Sequence, residues 1–216
     1  MKNESITVKK SEETKRRIMD AAQKLFAERG FEVVALRDIT AEAGANVAAV
    51  NYHFRSKDGL IEAVLMRHMM PVMTERMRLL DLAEEEFSGG VIPVKRVLDA
   101  FVRPFLTGMQ GSAEERKLFS KFMGRCMSDR GSNLPDAALK VLAEMMQRFT
   151  VVLARALPKL GGEELIWRLH FSFGVMAHTL THGDRLLEFS QGRSGEPDFE
   201  TTLQRMIDYC EGGFKA

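Results

Sequence analysis

The sequence predicts an all-α fold in two parts: an N-terminal three-helix helix-turn-helix domain and a larger C-terminal helical domain. Three observations predict it. Apolar residues recur at spacings of three and four along most of the 216 residues, without the strict alternation that marks a strand. Gly, Pro and Ser cluster at intervals that suit long helices. The stretch LRDITAEAGANVAAVNYHFRSK, residues 36–57, reads as two short helices joined by a tight turn and followed by the basic start of a third.

The elements follow in order. Residues 1–10 set Lys2, Lys9 and Lys10 among polar residues, the composition of a disordered arm that either lies along DNA or is simply solvated. From Ser11 to Arg29 the apolar positions Ile18, Ala22, Leu25 and Phe26 share a helical face, Gly30 closes the run and Phe31 turns the corner. The next helix, over DITAEA, stops at Gly44, which suits a left-handed helix end. Asn46 then caps a helix from Val47 to Phe54.

On that helix Val47, Val50 and Phe54 are expected to pack against Ile39 and Ala43, leaving Ala48, Asn51, Tyr52 and Arg55 on the opposite face. Small residues there let the backbone sit deep in a major groove. Asn51 can pair bidentately with adenine, and Tyr52 can reach a phosphate or sugar. Ser56 is a plausible cap for the following helix and puts Lys57 in its first turn, where a cation is unfavourable unless a phosphate is bound. Lysine and free amides together make an anion site. The same hairpin could also be an ordinary one with a solvated face.

Beyond Lys57 helices are expected at 57–82, with Pro71 breaking or kinking it, then at about 93–110 with a kink at Pro104, 114–128, 135–157, 162–187 and 199–211. EEEFSGGVIP, SDRGSNLP, LPKLGG and SQGRSGEPD are the linkers. The run LIWRLHFSFGVMAHTL, residues 165–180, is apolar nearly all the way round and needs cover on more than one side. A second copy of the chain is one cover, giving a homodimer with an interface at Leu169, Phe173, Gly174, Ala177 and Leu180, joined by Leu203, Met206 and Ile207 of the last helix. The core of one chain is the other.

Composition excludes several classes. At 45% hydrophobic and 28% charged residues the chain is that of a globular protein, and no apolar run approaches the ~18 residues of a membrane span. A cytoplasmic protein without membrane contact is expected, since no secretory signal opens the chain. The net charge of +1 hides an asymmetry: residues 1–57 carry +3 and the rest −2, a modest basic footprint at the N-terminus. Two distant cysteines, Cys126 and Cys210, read as buried small hydrophobes and not as a disulfide pair. His170, His178 and His182 lie on one helix, but no Asp, Glu or Cys has the spacing to complete a metal site, and HTLTH lacks the glutamate of a metalloprotease helix. No cofactor, no metal, no catalytic residue and no enzymatic activity is expected.

RRIMDAAQKLFAERGF, LRDITAEAG and AVNYHFRSKDGLIEAV, in that order and spacing over about Thr14 to Val64, resemble the TetR family of bacterial transcriptional regulators. Gly44, Tyr52, Phe54 and Lys57 stand in the family's form, whereas Ala45 replaces a larger aliphatic and Asn51 a frequent tyrosine. The resemblance implies a DNA-binding domain over 1–57, with operator DNA met by Arg37, Asn46, Val47, Ala48, Ala49, Asn51, Tyr52, His53 and Lys57. It also implies a ligand-binding and dimerisation domain over 58–216 that takes a small apolar or amphiphilic effector. Phe119, Phe122, Met123, Met127, Met145, Phe149, Phe173 and Met176 are the candidate lining, an adaptable surface of methionine and phenylalanine. Arg125, Arg148 and His170 are the candidates for orienting a head group. Within the family, AVNYHFRSKDGLIEAV with LHFSFGVMAHTL is similar to a pseudomonad branch that responds to long-chain fatty acids, which implies a repressor released by a fatty acid or its acyl thioester. A ligand-independent architectural DNA-binding protein, a regulator of aromatic or cationic drugs and a small-molecule enzyme containing a helical hairpin are the alternatives.

Overall fold

The computed structural model describes residues 2–88, 90–107, 112–128, 134–195 and 198–216. Their regular elements are all helices: α1 (Lys2–Arg29), α2 (Leu36–Ala43), α3 (Val47–Phe54), α4 (Lys57–Glu86), α5 (Val94–Thr107), α6 (Ala113–Ser128), α7 (Asp136–Ala156), α8 (Gly162–Phe189) and α9 (Phe199–Lys215). Most of the linker SDRGSNLP, residues 108–110 of the expected fifth helix and the side chain of Met127 lie outside the described residues. Two compact units form: Met1–Met69 with Lys117–Ala138, and Met70–Arg116 with Leu139–Ala216. The boundary expected after Lys57 falls inside the first unit.

In the first unit α1 begins at Lys2, where a disordered arm to residue 10 is expected from composition. KNESITVKKSEE holds no Gly or Pro to stop a helix and is rich in good helix formers. Ile18, Ala22, Leu25 and Phe26 are buried as their spacing requires, and the Phe31 ring sits 5.1 Å from Phe26 and 6.0 Å from Phe122. Lys24 pairs with Glu42 at 2.6 Å, tying α1 to α2, while Arg67 of α4 donates to Asp20 at 2.7 Å and to Gln23, tying α4 to α1. These surface pairs fix relative positions more than they stabilise.

In the second unit α5, α8 and α9 pack on one another. Phe101 and Phe105 from α5, Leu165, Leu169 and Met176 from α8, and Leu203, Ile207 and Phe214 from α9 are all buried. Helix α4 runs through Pro71 without interruption, so the expected break does not occur. Proline costs about 3 kcal/mol in a helix interior. Met69, Met73 and Leu80 on either side are buried, and each buried apolar side chain is worth roughly 1.5–3 kcal/mol, enough to hold the helix together. Cys126 and Cys210 are buried and take part in no disulfide.

Candidate functional site

The helix-turn-helix is assembled by its caps. Gly44 adopts φ +58°, Ala45 N–H donates to the Thr40 carbonyl at 2.9 Å, and α2 ends in the backbone pattern that favours glycine. At the other end of α2, Asp38 accepts from the Ala35 N–H at 3.1 Å. Asn46 Oδ1 accepts from the Ala49 N–H at 2.8 Å and starts α3. Ile39, Ala43, Val50 and Phe54 close the seam between the two helices. Val47, expected in that seam, is 43% exposed, because as the first helical residue it lies at the rim.

The opposite face is open. Ala48, Asn51 and Arg55 are exposed and Tyr52 is 80% exposed, its ring set edge-on to His53 at 4.9 Å. Arg37 and Asn46 are also exposed, and Ala49 and His53 partly so. No described residue of the first unit covers this face of α3. The face offers one amide side chain, one phenol, small methyl groups and the Arg55 guanidinium, a set suited to reading base edges and meeting phosphate.

Where α3 passes into α4 the chain turns within two residues. Arg55 takes φ 67° and ψ −41°, and Ser56 N–H donates to the Phe54 carbonyl at 2.8 Å, a tight turn that is strained for a residue with a side chain. Ser56 Oγ accepts from the Gly59 N–H at 3.0 Å and caps α4 as expected. A Cβ on Gly59 would lie 2.1 Å from the Phe54 carbonyl oxygen, so glycine is required there by close approach of the two backbones. Lys57, half-buried in the first turn, donates to the Glu32 carbonyl at 3.4 Å.

The residues expected to line a ligand site divide between the units. Phe119, Phe122, Met123 and Arg125 lie in the first, where Phe119 and Phe122 each stand 5.5 Å from the His68 ring. Among the described residues His68 Nε2 is buried without a hydrogen-bond partner, and desolvation, then the neighbouring Arg67 charge, pushes its pKa down to about 4. Met145, Arg148, Phe149, His170, Phe173 and Met176 lie in the second unit. Arg148 donates to Asp81 at 2.8 Å and pairs with Glu84, and His170 is exposed against Trp167. Neither is a buried cation in want of an anion.

That description belongs to a residue the periodicity of α4 did not reveal. Arg76 is fully buried in the second unit with no carboxylate within 4.0 Å among the described residues. Its Nε donates to the Phe101 carbonyl at 2.7 Å, its guanidinium lies 4.4 Å from the Phe101 ring centroid and 5.9 Å from that of Phe105, and Nη2 has only the Met176 sulfur at 3.7 Å. Nη1 has no hydrogen-bond partner among the described residues. Burial pushes its pKa down to about 9, so the group is still cationic at neutral pH. An uncompensated buried ion costs several kcal/mol, which ring stacking and one carbonyl offset only in part.

The residues expected at a dimer interface are mostly inside one chain. Leu169, Ala177, Leu180, Leu203, Met206 and Ile207 are buried, Phe173 is half-buried and Gly174 is open. Helix α8 is covered on one side by α5 and α9 of its own chain, and its other side leaves Ile166, Trp167 and Phe171 exposed. His178 and His182 stack at 4.9 Å, and no group of three metal-binding side chains occurs among the described residues.

Comparison with known proteins matches two family models, "Bacterial regulatory proteins, tetR family" over residues 18–64 and "Tetracyclin repressor-like, C-terminal domain" over residues 99–213. The HTH-type transcriptional repressor Rv3405c of Mycobacterium tuberculosis is 32% identical over 166 residues, 71% of this chain and 84% of that protein. UidR of Escherichia coli is 21% identical over 183 residues, 76% of this chain and 90% of its own length. Matches to YvkB and YttP of Bacillus subtilis are short, covering 29% and 24% of those proteins. Among solved structures the backbone resembles NalD, the secondary repressor of the MexAB-OprM multidrug efflux pump in Pseudomonas aeruginosa, with a TM-score of 0.63 at 20% identity over 94% of this chain and 96% of that one. PfmR of Thermus thermophilus gives a TM-score of 0.59 at 15% identity over 93% and 98%. No described helix is long and apolar enough to cross a membrane.

Proposed function

The chain belongs to the TetR family of DNA-binding transcriptional regulators, and from that premise we propose that it is a homodimeric, cytoplasmic repressor released from a sequence-specific operator by a small apolar ligand. The observation that carries the reading is the open face of α3, where Asn51 and Tyr52 stand beside Ala48 on a helix capped at Asn46. Asn51 reads a base, and Tyr52, Arg37 and Lys57 meet the phosphate backbone, with residues 1–57 serving as the DNA-binding part. Two copies present two such faces, so the operator is roughly palindromic, with half-sites about one turn of DNA apart or somewhat more.

The exposed strip of α8 supports dimerisation: Ile166, Trp167 and Phe171 are apolar, large and uncovered in one chain, and open Gly174 admits a close neighbour. For the ligand, a long-chain fatty acid or its acyl thioester remains the reading, supported by the methionine and phenylalanine content of the second unit and by the sequence resemblance at both ends of the chain.

Operator fragments selected from random DNA test the proposal. Asn51→Ala is expected to lose about 1–3 kcal/mol of discrimination at one base pair per half-site. Lys57→Ala is expected to weaken all sites alike and lower the salt dependence by about one unit per half-site. Parent protein that shows no preference among sequences is architectural, and a Lys57→Ala variant with unchanged affinity and salt slope removes the phosphate clamp.

A further inference from the structure

We propose that Arg76 is the receptor for the anionic head of the effector, and that the effector is an apolar molecule bearing a single free carboxylate. The proposal rests on reading this chain as an effector-controlled regulator and deepens it. Arg76 comes from α4, its contacts from α5 and α8, all within the second unit. The Phe101 carbonyl takes Nε, and the Phe101 ring lies against the guanidinium plane, so the side chain is held in one orientation before anything binds. What remains is the end-on edge formed by Nη1 and Nη2, the pair that grips both oxygens of a carboxylate.

That edge is unsatisfied. Among the described residues Nη1 has no acceptor, and the acceptor of Nη2 is a thioether sulfur, weak enough for a carboxylate oxygen to displace. Met176 is also unbranched, so its side chain can move aside without disturbing α8. Two features of the surroundings define the ligand class. No other cation is buried in this unit among the described residues, so one negative charge is neutralised and a phosphate dianion is left with excess charge. The side chains against the guanidinium are Phe101, Phe105 and Met176, with the Phe149 ring 5.1 Å from Phe101 and the Phe173 ring 6.1 Å from Phe105, so the body that accompanies the carboxylate is apolar. A free acid satisfies both conditions. An acyl thioester presents only a neutral carbonyl at that end, and a cationic amphiphile is repelled.

Isothermal titration of the 216-residue chain with dodecanoate, dodecanol and dodecyltrimethylammonium tests this, together with the thermal midpoint of each ligand-free variant. The parent is expected to bind dodecanoate about tenfold or more tighter than dodecanol and not to bind the cation. Arg76→Met is expected to bind acid and alcohol alike and to melt, ligand-free, at or above the parent temperature, since it removes an uncompensated charge while filling the same volume. Arg76→Lys keeps the charge and is expected to retain part of the preference. A parent without preference for the acid overturns the proposal. So does an Arg76→Met variant that keeps the preference, or one that melts lower or fails to fold, which assigns Arg76 a purely structural role. Binding of a selected operator by ligand-free protein is scored separately: its absence defeats the regulator reading alone, whereas intact operator binding without acid preference defeats only the assignment of Arg76.

Discussion

Replacing Gly59 by alanine sets two effects against each other at the junction of α3 and α4. On propensity alone the variant gains, because alanine is about 1 kcal/mol better than glycine in a helix interior. The close approach opposes it. The new methyl group would stand 2.1 Å from the Phe54 carbonyl oxygen and 3.3 Å from its carbon, and backbone atoms cannot swing away as a flexible side chain does. Relief requires a displacement on the order of 1 Å between the end of α3 and the first turn of α4, and strain of that kind typically costs 1–3 kcal/mol. The same carbonyl accepts the Ser56 N–H in the strained turn at Arg55, so the displacement also loosens the turn that sets where α3 ends. The net expectation is a loss of about 1–2 kcal/mol in urea unfolding followed by circular dichroism, with faster amide exchange in α3. Gly183→Ala is the control: it has open space around it, and a gain of about 0.4–1 kcal/mol is expected there. If Gly59→Ala is as stable as Gly183→Ala, the close approach does not constrain the junction and the reasoning fails.

Two further outcomes follow from the geometry. Because the His68 pKa is held at about 4, the folded protein resists a proton that the unfolded chain accepts below the ordinary value of 6.5, so stability is full above that pH and is lost as pH falls towards 4. The loss is at most about 3.5 kcal/mol, less where water reaches the half-buried ring, and His68→Leu should flatten the stability profile in this window; an unchanged profile refutes the assignment. On α8, Phe171→Glu is expected to give folded monomers in sedimentation, whereas Ala177→Glu, which puts a charge into the core of one chain, is expected to destabilise the fold itself; a Phe171→Glu variant that remains a dimer moves the interface elsewhere.

Much of the helix-turn-helix is legible from sequence because its signals are local. Gly44, Asn46 and Ser56 act on backbone groups within a few residues, and each performs the capping role its residue type dictates. The γ-turn at Arg55 is not legible, since nothing about arginine calls for positive φ and the strain is imposed by the helices on both sides. Arg76 escapes for a different reason. In MTERMRLLD it sits among charged residues and looks like one more solvated cation, and only the meeting of α4, α5 and α8 shows that it is enclosed. Which side of α8 turns inward is not legible either, because a helix apolar on all sides shows that it needs covering without showing which face its own chain covers. Leu169, Ala177 and Leu180 turn inward, and Ile166, Trp167 and Phe171 are left outside.

Trp167 is the single tryptophan in the chain, and it is 51% exposed on that uncovered strip. Its indole emission therefore serves as an unlabelled reporter: a blue shift on raising protein concentration would register a partner closing over α8, and quenching by acrylamide would fall in step. The same placement carries a warning for spectroscopy. A red shift during denaturation reports the loss of whatever covers the indole as much as loss of helix, so a fluorescence midpoint that moves with protein concentration while the far-ultraviolet signal does not would mark dissociation and melting as separate events.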